Sequence, residues 1–146
     1  LKIMKFLKPC VLFLLATTVV GISPAKARVS VACYSVDATR GWQYVQLSST
    51  FSRVSKIRGE WTVDVINYGR VGPGGYGTID TDYAGAPYDA DIPLGALLIG
   101  EPGAPYSWLN EPQQLSKPVS NVALRINDDD LALGDNFGAI QVCFTN

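Results

Sequence analysis

An all-β fold is predicted for this chain by three observations. Apolar side chains recur at every second position in several short runs, the period of a half-buried strand. Gly, Pro, Asn and Asp clusters separate those runs at the spacing of turns. Beyond Arg28 no stretch of useful length carries the helical period. Many short strands punctuated in this way argue for a single β-sandwich or jelly roll.

Residues 1–27 are read as a signal peptide. Lys2, Lys5 and Lys8 make a basic start, and Val11 to Ile22 is an apolar core too short for a comfortable membrane span. Pro24 interrupts it, and Ala25-Lys26-Ala27 offers small residues at the cleavage positions. Residues 28–146 then form one exported domain of about 119 residues, enough for one core. Strands are expected at Val29–Tyr34, Tyr44–Leu47, Phe51–Ile57, Trp61–Ile66, Leu94–Ile99, Pro105–Leu109, Val122–Ile126 and Ala139–Phe144. Phe51, Val54 and Ile57 should face inward. The wholly apolar Leu94–Ile99 run should be buried on both faces.

Composition removes several functions. The chain carries a formal charge of −1, and the signal segment takes four lysines and no acid with it. The mature domain is therefore acidic, at about −5, whereas nucleic acids and anionic membranes call for basic surfaces. It has no histidine, so a Ser-His-Asp triad is impossible and the commonest zinc ligand is missing. Cys33 and Cys143 survive cleavage and should be bridged in an oxidising compartment, secreted or periplasmic. The alternative is two separate buried thiols.

Tyr68 to Asp91 is a long connection rich in glycine, tyrosine and aspartate. Connections of this length in compact domains are usually functional or disordered, and the tyrosines weigh against disorder. Gly72-Pro73-Gly74-Gly75-Tyr76-Gly77 lacks the Lys-Ser or Lys-Thr of a phosphate loop. The pairs Asp80/Asp82 and Asp89/Asp91 could serve a glycosidase, but both lie in this one stretch with no opposed environments.

The last two expected strands flank Asn127–Asn136, which holds Asp128, Asp129, Asp130, Asp135 and Asn136. Carboxylates this close repel, more strongly as water is excluded. A hard cation such as calcium, which takes roughly 6–8 oxygen ligands, would relieve the repulsion. An acidic turn lying in water is the plainer alternative. The EF-hand pattern does not fit, since no Glu closes a twelve-residue loop.

Three motifs carry a resemblance: Leu94-Gly95-Ala96-Leu97-Leu98-Ile99-Gly100, Leu124-Arg125-Ile126-Asn127-Asp128 and Gly134-Asp135-Asn136-Phe137-Gly138. With Gly41-Trp42-Gln43, Gly59-Glu60-Trp61 and Gly72-Pro73 upstream, the chain resembles the calcium-dependent galactophilic lectins of bacteria, the PA-IL-like family. The resemblance implies a small jelly-roll β-sandwich of the galactose-binding-domain-like kind with one calcium at one end. It implies side-chain ligands from Asp128, Asp135 and Asn136, and backbone carbonyls from Ala132 and Tyr68. A sugar's adjacent hydroxyls would complete the coordination, hydrogen-bonded to Asp128, Asp135 and Asn136. The family's galactose-specific histidine has no counterpart here, and Asp80 or Asp82 would take over its contact. The expected function is a secreted lectin and not an enzyme, with a carbohydrate, galactose among the possibilities, as partner. A homo-oligomer is plausible, because lectins gain affinity by presenting several sites. The alternatives are a calcium-stabilised structural or interaction domain and a secreted hydrolase.

Overall fold

The computed structural model describes residues 28–77 and 87–146. The expected signal peptide, residues 1–27, lies outside the described residues, as do Asp80 and Asp82. The described chain is all-β: β1 (Val31–Asp37), β2 (Gln43–Thr62), β3 (Leu97–Gly100), β4 (Ser107–Trp108), β5 (Gln114–Ile126) and β6 (Phe137–Thr145). They form one open antiparallel sheet in the order β1-β6-β2-β5-β3-β4.

The expected jelly-roll sandwich of separate sheets gives way to this single sheet because of β2. Three short strands were expected between Tyr44 and Ile66, but one strand of 20 residues runs through most of that stretch. Ser48-Ser49-Thr50 contains neither Gly nor Pro, so nothing breaks the extended backbone there. Irregular register near Phe51 and Val54 marks where β2 trades partners. Its first part pairs with β5 and its second with β6. β1 and β5, which the sheet separates by two strands, nevertheless touch, so the sheet curls around one core.

That core is built by the period-2 pattern, interrupted once in β2 where the register shifts. Phe51 and Val54 of β2, Leu97 and Ile99 of β3, Leu124 and Ile126 of β5, and Ile140, Val142 and Phe144 of β6 are fully buried. Ile57, expected inside, is only half-buried at the margin. Trp61 is sealed, and its Nε1–H donates to the Gly95 carbonyl at 2.7 Å, so its one polar group is satisfied. Leu97, Leu98 and Ile99 are inaccessible, as the apolar run implies.

Two glycines let β2 and β6 lie close. Gly59 pairs with Ile140 and Gly138 with Trp61, at φ 108° and 102°. A Cβ on Gly59 would stand 2.5 Å from the Ala139 carbonyl oxygen, and one on Gly138 2.6 Å from that of Glu60. Only glycine tolerates both the φ and the approach.

β2 ends at Thr62, earlier than expected. Asp64 Oδ1 accepts from the backbone N–H of Ile66 at 2.7 Å and of Asn67 at 3.0 Å, closing a turn in place of the strand ladder. These bonds, with the Asn67 side chain first, hold the exposed Asp64 carboxyl below its ordinary pKa. Val65 and Ile66 consequently face solvent.

Cys33 and Cys143 are direct cross-strand partners of β1 and β6 and form a disulfide. A bridge of this kind fits an extracellular or periplasmic protein. Among the described residues no helix is long and apolar enough to cross a membrane.

Candidate metal centre

Three connections meet at one end of the sheet. The β5–β6 loop lies there because β6 starts opposite the end of β2, with Phe137 paired to Thr62. The β1–β2 turn arrives because Asp37 pairs with Ala139. The turn after β2 is tied in by Val65 N–H, which donates to the Asp135 carbonyl at 3.1 Å.

The acidic and amide side chains from Asp128 to Asn136 have different fates. Asp130 is neutralised by Arg125, whose Nη2 lies 2.8 Å from Asp130 Oδ1. Asp129 Oδ1 accepts from Leu131 N–H at 2.8 Å, as a turn aspartate does. Asp128 is buried; its Oδ1 accepts from Asp129 N–H at 2.9 Å, while Oδ2 has no partner. Asn136 is also buried. Its Nδ2–H donates to the Ala38 carbonyl at 2.9 Å, which orients the amide and leaves Oδ1 without a donor. Asp135 closes a short 3-10 turn, Leu133–Asp135, whose leading residue is Ala132.

Two buried oxygens without a donor cost free energy, about 1–3 kcal/mol each and more for a charged one. Burial pushes the Asp128 carboxyl above its ordinary pKa. The Asn136 amide and Asp129 N–H oppose the shift, and the charges of Asp135 and Asp129 add to it. The Asn136 amide and the charge of Asp135 both act on the Asp128 carboxyl, so these three residues share one end of the sheet.

Tyr68 contributes differently from the other positions. Its carbonyl accepts from Thr62 Oγ1 at 3.0 Å and keeps one lone pair. Its ring packs on Tyr76, and its hydroxyl is buried without a partner. Among the described residues no group of three or more Asp, Glu, Cys or His side chains gathers as a metal site. The side chains at this end that could hold a cation are Asp128, Asp135 and Asn136, whose oxygens are hard donors of the kind calcium takes.

Two residues that shape the site escape a reading by pattern. Arg125 follows the outward parity of its strand, yet it is 1% exposed. Its guanidinium lies 3.8 Å from the Tyr88 ring centroid, and its Nε and Nη2 donate to the carbonyls of Ile126 at 2.9 Å and Asp128 at 2.7 Å. Asn127, fully buried, fastens the long connection to the head of the acidic loop. Its Oδ1 accepts from Asp89 N–H at 2.8 Å, and its Nδ2 lies 2.8–3.0 Å from the carbonyls of Ile92, Asp89 and Pro93. The only advance signal for either is a polar side chain at the buried end of an apolar strand. Asp89 and Asp91 form a turn, with Asp91 N–H donating to Asp89 Oδ1 at 2.9 Å, not an opposed catalytic pair.

No protein-family model matches this chain, and no curated protein matches it.

Proposed function

We propose that the chain is an exported calcium-dependent carbohydrate-binding protein. The observation that carries this reading is the pair of buried, donorless oxygens, Asp128 Oδ2 and Asn136 Oδ1, beside Asp135. Water or a neutral donor would satisfy one of them, but only a cation also offsets the two carboxylates. Asp128, Asp135 and Asn136 would hold the ion with the carbonyls of Ala132 and Tyr68. Calcium supplies a Lewis-acidic centre that exchanges water for sugar hydroxyls. Asp128 and Asp135, being charged acceptors, would receive strong hydrogen bonds from those hydroxyls. Galactose-type sugars are the first candidates, on the resemblance alone.

A second reading is a calcium-stabilised interaction domain. It is favoured by exposed apolar side chains at this end: Leu131 is 97% exposed, Ile66 86%, Val65 60% and Phe137, the first residue of β6, 52%. Such residues suit a protein partner better than a sugar.

One experiment separates the two. Thermal unfolding is followed with calcium and with chelator, and galactosides and other glycans are titrated under both conditions. Calcium at about 100 times its dissociation constant adds roughly 2.7 kcal/mol, and Asp135→Ala removes that gain. A sugar response abolished by chelator supports the lectin. A calcium shift with no sugar response selects the interaction domain, and no calcium shift overturns both.

A further inference from the structure

The outer face of the sheet carries a cleft that the acidic loop does not use. Tyr44 of β2, Ala123 of β5 and Gly100 of β3 are in register across three strands. Ala123 and Gly100 leave a floor almost without side chains, while Trp42, Tyr44 and Tyr106 stand around it. Glu101 and Asn121 complete the rim. The space is about 290 Å³, at the small end of ligand pockets and suited to one ring rather than an extended molecule.

The polar end of the Trp42 wall is already engaged. Trp42 Nε1–H donates to the Tyr88 hydroxyl at 3.3 Å. The Asp89 carboxylate near Tyr106 pushes its hydroxyl above the ordinary pKa. Trp42 and Tyr106 pack at 5.6 Å between ring centroids, and Tyr44 is 85% exposed. What the cleft offers is therefore ring surface, whose electron-rich faces attract the slightly positive C–H hydrogens of a saturated ring. At the rim, Glu101 Oε2 is held by Ser116 N–H at 2.9 Å, leaving Oε1 to accept from a hydroxyl. Asn121 can both donate and accept.

These features select the ligand. No cation lines the cleft and Glu101 is acidic, which disfavours phosphates. Proline-rich peptides dock in aromatic grooves, but the carbonyl-binding indole N–H they would use is spent on Tyr88. A neutral pyranose, apolar on one face and hydroxylated at its edge, matches both surfaces.

We infer that the Trp42–Tyr44–Tyr106 cleft is a second saccharide subsite that works without calcium. The inference rests on the carbohydrate-binding reading but not on the metal, because none of the proposed calcium ligands lines the cleft. Arg125 joins the two places: it holds the Asp128 carbonyl on one side and stacks under Tyr88, 5.7 Å from the Trp42 ring, on the other.

The test uses the whole mature chain and a panel of neutral hexose and N-acetylhexosamine tetrasaccharides, followed by calorimetry in calcium and in chelator. Part of the binding should survive chelation. Tyr44→Ala and Gly100→Val should each weaken that part by about tenfold while leaving the calcium-dependent melting shift unchanged. Tyr44 is exposed, a Cβ on Gly100 meets Ala123 and Trp42 at 3.6 Å, and the calcium-dependent melting shift reports that each variant is folded. Binding seen only with calcium overturns the subsite and leaves the lectin standing. Chelator-resistant binding that Asp135→Ala spares and Gly100→Val removes establishes the subsite even if the calcium site fails. Chelator-resistant binding indifferent to both cleft variants, or no binding at all, overturns it.

Discussion

Arg125 Nη2 and Asp130 Oδ1 stand 2.8 Å apart, with the arginine side chain 1% exposed and the aspartate 64%. The pair is lopsided: water can replace the arginine for Asp130, but little can replace Asp130 for Arg125. Asp130→Asn should therefore cost about 2 kcal/mol, the range for hydrogen bonds to charged groups. An ordinary exposed substitution changes stability by about 0.5 kcal/mol or less. Denaturant unfolding measures the difference, and calcium affinity should stay within a few-fold of the parent. A neutral result would mean that the Ile126 and Asp128 carbonyls and the Tyr88 ring suffice to hold the buried cation.

Asp128 should show a reversed dependence on pH. Burial raises its folded pKa above the ordinary 3.8, so the metal-free folded state holds its proton more tightly than the unfolded chain. Its contribution to stability is full below that ordinary value and is lost as pH rises through the raised pKa. Relative to Asp128→Asn, the metal-free parent should lose stability across that window and stay below the variant at neutral pH. Calcium reverses the order, because the metal and the proton compete for one carboxylate. Melting curves of both proteins between pH 3 and 8, with chelator and with calcium, read this directly. A parent that gains on the variant with rising pH in chelator would contradict the burial argument.

The Cys33–Cys143 bridge joins residues 110 apart in sequence across adjacent strands. Loop-closure entropy for a span of about 100 residues amounts to roughly 4.7 kcal/mol, and measured losses in small secreted domains run about 2–5 kcal/mol. The double variant Cys33→Ala/Cys143→Ala should fall in that range by denaturant unfolding. Peptide mass mapping of exported protein should recover the two cysteines as one linked pair. Two free thiols in that exported material would remove the bridge.

Where side chains point within each strand was legible early. The inward set Leu124, Ile126, Val142 and Phe144 follows from alternation alone, because a strand's two faces are fixed by its own backbone, whereas Phe51 and Val54, of opposite parity, both turn inward where the β2 register shifts. The Trp61–Ile66 strand was read too long for an equally local reason. Val63, Val65 and Ile66 carry the β pattern, but Asp64 sits among them and its carboxylate bonds the next backbone N–H groups. Reading β2 as separate strands had the opposite cause, since two serines and a threonine resemble a turn but impose none.

From the sequence by itself came the all-β class, the acidic loop between the last two strands and the two cysteines near the ends of the domain. Each depends on residue type and spacing over a few neighbours, or on a simple count. The tertiary structure alone decided which loop acids are left without a partner. Arg125 reaches Asp130 only because Trp42 and Tyr88 cover the strand's outer face. Ala38, 98 residues away, takes an amide hydrogen of Asn136, and the amide oxygen is left without a donor. Hydrogen-bond satisfaction is set by neighbours in space, and curling one long sheet brings those neighbours from opposite ends of the domain.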